Sequence, residues 1–227
     1  MVARIDELST RAEPSVRGQG LGLVRSRTIL LMSQDPSEEP LPRSDPMSPA
    51  DFARLRHAGQ VRKGTELPYV VHPEGVARIL RRYYPNRADL EAAGWLHDTI
   101  EDTATTAEEI EARFGPDVRR LVEGVTRRDG EPFHAPQDHD VMRLKAADAL
   151  DNVTMTLEGL RRGERIFERF KSGPDKVRYW REIARFADHL LGPEPLVSEL
   201  GAAVTEVEAY VPIAADGGVA VPGSSAG

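Results

Sequence analysis

The apolar positions of this chain recur with a helical period. Val76, Ile79, Leu80 and Tyr83 stand at i, i+3, i+4 and i+7, and Val118, Leu121, Val122 and Val125 repeat the spacing. Such a stripe is what a helix buries along one face. Ser48-Pro49-Ala50-Asp51 combines a serine cap with a first-turn proline and reads as a helix start. Thr106 with Glu109 forms a capping box, Gly115 is placed to end that helix, and Pro73 and Pro116 fall at first-turn positions. Further helices are expected at about residues 87–100, 140–160, 174–190 and 193–210. β-Branched alternation is scarce, and Tyr69-Val70-Val71 is too short to build a sheet. The predicted fold class is therefore all-α, a single helical domain over residues 48–211. Residues 1–47 hold scattered prolines, arginines and serines without a period and read as a disordered tail, with Met47 a candidate natural start. Residues 212–227 read as a second flexible tail.

Polar residues interrupt these stripes where core side chains belong. In the helix around Trp95 the apolar face runs Ala93, Leu96, His97, Ile100, with Asp98 adjoining. In the later helix Leu144, Ala147, Asp148 and Asp151 share the same spacing. A carboxylate on a buried stripe is expensive unless a cation or several donors meet it. His72, in the segment Pro68-Tyr69-Val70-Val71-His72-Pro73, has apolar neighbours that draw it toward the core from what reads as an extended stretch. Two inward imidazoles and two inward carboxylates make a metal the economical account. His72, His97, Asp98 and Asp148 form a mixed nitrogen and oxygen set suited to a divalent first-row ion such as Mn²⁺ or Fe²⁺. Glu101 and Asp102, one turn beyond, stand where carboxylates orient a water beside the ion or take its proton.

Composition narrows the field. The chain has 227 residues, 40% of them apolar and 30% charged, enough for a packed core. It contains no cysteine, which excludes disulfide scaffolds, thiolate metal sites and cysteine nucleophiles. A net charge of −7 argues against a stable nucleic-acid complex, which calls for a basic excess. No run of apolar residues is long enough to span a membrane, and residues 1–30 lack the apolar core of a signal peptide, so a cytoplasmic protein is expected. The oligomeric state is not legible.

His72-Pro73, Leu96-His97-Asp98-Thr99-Ile100-Glu101-Asp102-Thr103, and Lys145-Ala146-Ala147-Asp148 followed by Asn152 together resemble the HD-domain hydrolases of the RelA/SpoT type. Gly59-Gln60-Val61-Arg62-Lys63-Gly64 and Phe114-Gly115 through Val125-Thr126 extend the likeness. The nearest subgroup in outline is the stand-alone small alarmone hydrolases. The resemblance implies an HD-domain helical bundle, one Mn²⁺, a small-molecule nucleotide substrate, and removal of the 3′-pyrophosphate from (p)ppGpp. It implies that His72, His97, Asp98 and Asp148 hold the metal and that Glu101 and Asp102 are the catalytic carboxylates. Arg62, Lys63 and Asn152 correspond to substrate-contacting positions, and Tyr179 to an aromatic lining the pocket. The usual KLADRLHNxR motif is altered here, with Ala149, Asp151 and Thr154 where basic or aromatic side chains are common. Two other readings stay open: an HD phosphohydrolase of another nucleotide or phosphorylated metabolite, and a catalytically weak HD domain that senses a nucleotide. The second is disfavoured by the presence of both Glu101 and Asp102.

Overall fold

The computed structural model describes residues 47–63, 65–127, 135–169, 173 and 175–211. All of them lie in the unit Arg43–Gly227. Apart from Met47, the two expected tails fall outside the described residues. Helices follow one another: α1 (Pro49–Arg56), α2 (Val71–Tyr83), α3 (Ala88–Leu96), α4 (Thr99–Asp102), α5 (Ala107–Phe114), α6 (Pro116–Val125), α7 (His139–Arg161), α8 (Asp175–Leu191) and α9 (Pro195–Glu208), with a 3₁₀ turn at Ile166–Arg169. The β structure among the described residues is a single bridge, Val61 to Pro68. The all-α expectation holds.

The start and stop signals act as the sequence predicts. Ser48 Oγ accepts from the Asp51 amide at 3.1 Å, and Thr106 Oγ1 from the Glu109 amide at 3.2 Å. Gly115, at φ 92°, ends α5 and lets α6 begin at Pro116. Helix α7, 23 residues long, is the central element and packs against α2, α3, α6, α8 and α9. Leu80 of α2, Leu96 of α3, Leu121 of α6, Leu144 and Leu150 of α7, Trp180 and Ile183 of α8 and Leu200 of α9 are buried in one shared core. Helices α2 and α3 approach closely at Gly94, where an added Cβ would lie 2.8 Å from the Ala77 Cα.

Two local expectations are corrected. The helix predicted over residues 87–100 breaks after Leu96, and His97 and Asp98 form a turn before α4. Side chains take the carbonyls there: Thr99 Oγ1 donates to Leu96 O at 2.7 Å, and His97 Nδ1 lies 2.9 Å from Gly94 O. Short-range competition of this kind ends helices. His72, in turn, is not in an extended segment but in the first turn of α2. Tight bonds from the His72 amide to Tyr69 O at 2.9 Å and from the Glu74 amide to Val70 O at 3.1 Å wind the chain directly into the helix. Pro73 fits because a first-turn position needs no N–H.

An ion-pair cluster fastens the start of α7. Arg87 reaches Asp140 Oδ1 at 3.0 Å and Oδ2 at 2.6 Å, and Arg143 reaches Asp140 Oδ1 at 2.7 Å and Glu194 Oε1 at 2.5 Å. The Arg87 hydrogen bond, reinforced by Arg143 against the opposing effect of burial, holds the Asp140 carboxyl down to about 2. A depressed folded-state value contributes stability above the unfolded value and loses it as pH falls. The difference in unfolding free energy between wild type and Asp140→Asn should therefore shrink between pH 4 and pH 2 by on the order of 1 kcal/mol after solvent screening. Urea midpoints across that range measure it, and a pH-independent difference would contradict the assignment.

Candidate metal centre and cleft

Three segments deliver the polar residues to one place: the first turn of α2 supplies His72, the α3–α4 turn supplies His97 and Asp98, and the middle of α7 supplies Asp148. Ligand atoms of His72, His97 and Asp148 all lie within 4.8 Å of one another. His72 Nε2 is 3.2 Å from Asp148 Oδ1 and 3.6 Å from Asp98 Oδ2. His97 Nε2 is 2.9 Å from Asp98 Oδ2 and 4.0 Å from Asp148 Oδ1. The four residues predicted as a set converge.

His97 Nε2 is enclosed and makes no hydrogen bond. Its 2.9 Å approach to Asp98 is proximity without hydrogen-bond alignment, so nothing in the protein satisfies that nitrogen. An imidazole nitrogen left bare among carboxylates, in a set of two nitrogens and two oxygens, fits a divalent cation. The electrostatics agree. Burial opposes charge on His72, but the adjacent carboxylates of Asp148, Asp151 and Asp98 outweigh it and push the imidazole up to about 9. Both Asp98 and Asp148 are held below the usual carboxylate range: burial works against this, and for Asp98 the His97 and His72 imidazoles prevail, for Asp148 the Lys145 ammonium together with those imidazoles. The pocket is built to hold negative charge beside positive charge.

Several partners were not foreseen in the sequence. Tyr69 Oη donates to Asp98 Oδ2 at 2.6 Å. Lys145 Nζ donates to the far oxygen of Asp148 at 2.9 Å, and Asn152 Nδ2 to the near one at 2.7 Å. Asp151 joins His72 and Arg62. The i, i+3 spacing of Lys145 and Asp148 was the available signal, since residues so spaced face one another on a helix.

A cleft of about 950 Å³ opens over this centre and is lined by every one of the ten predicted site residues. Glu101 and Asp102 are exposed at its rim, Glu101 Oε2 accepting from the Arg127 amide at 3.0 Å and the Asp102 carbonyl from Gln60 Nε2 at 3.0 Å. Lys63 is exposed, whereas Arg62 is buried, bonded to Asp151 at 3.0 Å and to Asn152 Oδ1 at 3.0 Å. Lys176 Nζ sits 4.7 Å from the Tyr179 ring centre, with Arg127 Cζ 6.0 Å from the same ring. Burial pushes the Lys176 ammonium down, and repulsion by Lys145, Arg127 and Lys63 adds to this. Lys63, Arg127, Lys145 and Lys176 thus all line the cleft and lie near enough to repel one another.

The HD domain sequence pattern matches residues 50–159, which hold every element of the centre. A Listeria monocytogenes protein of known structure is 31% identical, with a TM-score of 0.54, and the match covers 63% of this chain and 99% of that one. The chain belongs to the HD-domain family. Within that family it is 46% identical over 117 residues to a guanosine-3′,5′-bis(diphosphate) 3′-pyrophosphohydrolase of Xenopus tropicalis, covering 46% of this chain and 65% of the relative. The chain thus spans slightly under two thirds of that relative's length. A metazoan ortholog of SpoT that hydrolyzes ppGpp superposes with a TM-score of 0.55 at 25% identity, over 70% of this chain and 93% of that one. No helix of the described residues is long and apolar enough to cross a membrane.

Lys145 gives the HD centre a direct test. Its ammonium is held above the ordinary lysine value: burial opposes the charge, and Asp148 outweighs it. Removing one member of a buried pair strands the other charge. Lys145→Met should lower the unfolding free energy by about 3 kcal/mol in chelator, measured by urea denaturation; a wild-type midpoint would show that Asp148 does not depend on it.

Proposed function

We propose that this HD-domain chain is a Mn²⁺-dependent, cytoplasmic guanosine-3′,5′-bis(diphosphate) 3′-pyrophosphohydrolase, converting (p)ppGpp to GDP or GTP and pyrophosphate. The single observation that carries the reading is the convergence of His72, His97, Asp98 and Asp148 beneath a cleft whose rim holds Glu101 and Asp102. These four residues would hold the ion. When bound, such an ion supplies Lewis acidity toward phosphoryl oxygen and acidifies water.

The remaining roles belong to the chain's own residues. Glu101, steadied by the Arg127 amide, and Asp102 orient the attacking water and take its proton. Both carboxylates are exposed to solvent at the rim of the cleft. Lys63, Arg127 and Lys176 line the cleft and offset the negative charge of a substrate with several phosphates. Tyr179 lines the cleft with the Lys176 ammonium over its ring, and Arg62 and Asn152, fixed by their bonds to Asp151 and Asp148, present a rigid wall to the nucleoside. Likeness to relatives that carry this activity supports the choice of substrate.

One observation favours a second substrate: Ala149 lines the cleft from α7 at a position where the family it resembles commonly carries a basic side chain. An HD phosphohydrolase of another phosphorylated nucleotide would tolerate that loss of positive charge. Purified full-length protein with Mn²⁺ should release pyrophosphate from ppGpp in preference to phosphate from nucleoside monophosphates. Glu101→Gln should keep the ion and lose at least about 100-fold in kcat, while Asp148→Ala should fail to retain the ion on gel filtration. Release of phosphate from monophosphates alone would favour the second substrate, and full metal occupancy in Asp148→Ala would overturn the ligand set.

A further inference from the structure

Among the described residues, Asp151 is a buried carboxylate that meets His72 at Nδ1, the ring nitrogen opposite the one nearest Asp98 and Asp148. It lies on α7 one turn beyond Asp148 and is 8% exposed. Its Oδ2 accepts from His72 Nδ1 at 2.7 Å and from Arg62 Nη1 at 3.0 Å. Across the same imidazole, Nε2 faces Asp148 at 3.2 Å and Asp98 at 3.6 Å. An ionised carboxylate only accepts hydrogen bonds. Beside Asp151, therefore, Nδ1 carries the hydrogen and the lone pair of a neutral ring falls on Nε2, on the side of the three other candidate ligands.

The backbone is shaped around this contact. Gly75 is in α2, one turn after His72, and a Cβ added there would lie 1.9 Å from Asp151 Oδ1 and 2.8 Å from its Cγ. Neither atom can retreat while Oδ2 holds two hydrogen bonds. Alanine at this position would force the carboxylate off the ring. Arg62 completes the arrangement, since its other nitrogen donates to Asn152 Oδ1 at 3.0 Å and Asn152 in turn donates to Asp148 Oδ1 at 2.7 Å. Asp151 thus joins one ligand, His72, by hydrogen bonds to the residue that steadies another, Asp148.

We propose that Asp151 is a positioning residue of the metal centre: it fixes His72 as the Nδ1–H tautomer, aims Nε2 at the ion and ties Arg62 to the cleft wall, with Gly75 leaving the space it occupies. The proposal rests on the reading of His72 as a metal ligand. Partners of this kind commonly control metal affinity by about 10- to 100-fold.

The test uses the full chain and two independent substitutions. Calorimetric titration with Mn²⁺ should show affinity reduced about 10- to 100-fold in Asp151→Ala and in Gly75→Ala, with Asp151→Asn intermediate because its amide oxygen still accepts one bond. Because both changes break the same contact, the double variant should bind no more weakly than Asp151→Ala alone. Long-range ¹H–¹⁵N spectra of the metal-free protein at pH 10 should show His72 as the Nδ1–H tautomer in wild type and a mixture in both single variants. Circular dichroism identifies any variant that does not fold, and the other then carries the test. Wild-type affinity and an unchanged tautomer in a folded variant would overturn the proposal. If His97→Ala and Asp148→Ala bind Mn²⁺ as wild type does, the metal reading fails, and the tautomer still decides whether Asp151 governs the ring.

Discussion

Carboxylates brought together inside a helical core are the constraint on which this molecule turns. Asp98, Asp148 and Asp151 stand within bonding reach of one pair of buried imidazoles. Charges so placed repel one another and lose their hydration, and the fold survives only if each is met. Lys145 and Asn152 meet Asp148, Tyr69 meets Asp98, and Arg62 meets Asp151. Within this cluster His97 Nε2 makes no hydrogen bond, and a buried nitrogen so placed among carboxylates suits a divalent cation.

The architecture follows from supplying those side chains from rigid elements. Helix α7 contributes Lys145, Asp148, Asp151 and Asn152 along consecutive turns of one face, and its contacts with five other helices hold that face still. The α3–α4 break places an imidazole and a carboxylate in sequence at one corner, with the Asp98 carbonyl accepting the first bond of α4 from the Asp102 amide at 2.8 Å. Groups that need mobility, Glu101, Asp102 and Lys63, are at the exposed rim instead. Buried residues would set the geometry of the ion, and rim residues would follow the substrate.

Much of this was legible in the sequence because helical period exposes misfits. His97 and Asp148 occupy positions where leucine belongs, and no other economical account covered both. Helix existence and order were read well for the same reason: long amphipathic stripes with caps such as Ser48 and Thr106 carry their own boundaries. The break after Leu96 was missed because its cause is side chains competing for carbonyls, which leaves hydropathy unchanged. The β-branched Val70 and Val71 before His72 suggest an extended stretch, whereas the turn that winds them into α2 is closed by backbone bonds. The stripe of α7 marks Asp151 as a carboxylate turned inward but does not reveal what meets it. Its partner His72 is remote in sequence, and only the crossing of α2 over α7 at Gly75 brings them together.

The central claim is that side chains from three separate segments share one divalent ion. Crystals of the full chain grown with Mn²⁺ and measured for anomalous scattering decide it most directly. The account predicts one strong peak bounded by His72 Nε2, His97 Nε2 and carboxylate oxygens of Asp98 and Asp148. A peak located elsewhere, or none at full Mn²⁺ saturation in solution, would contradict it.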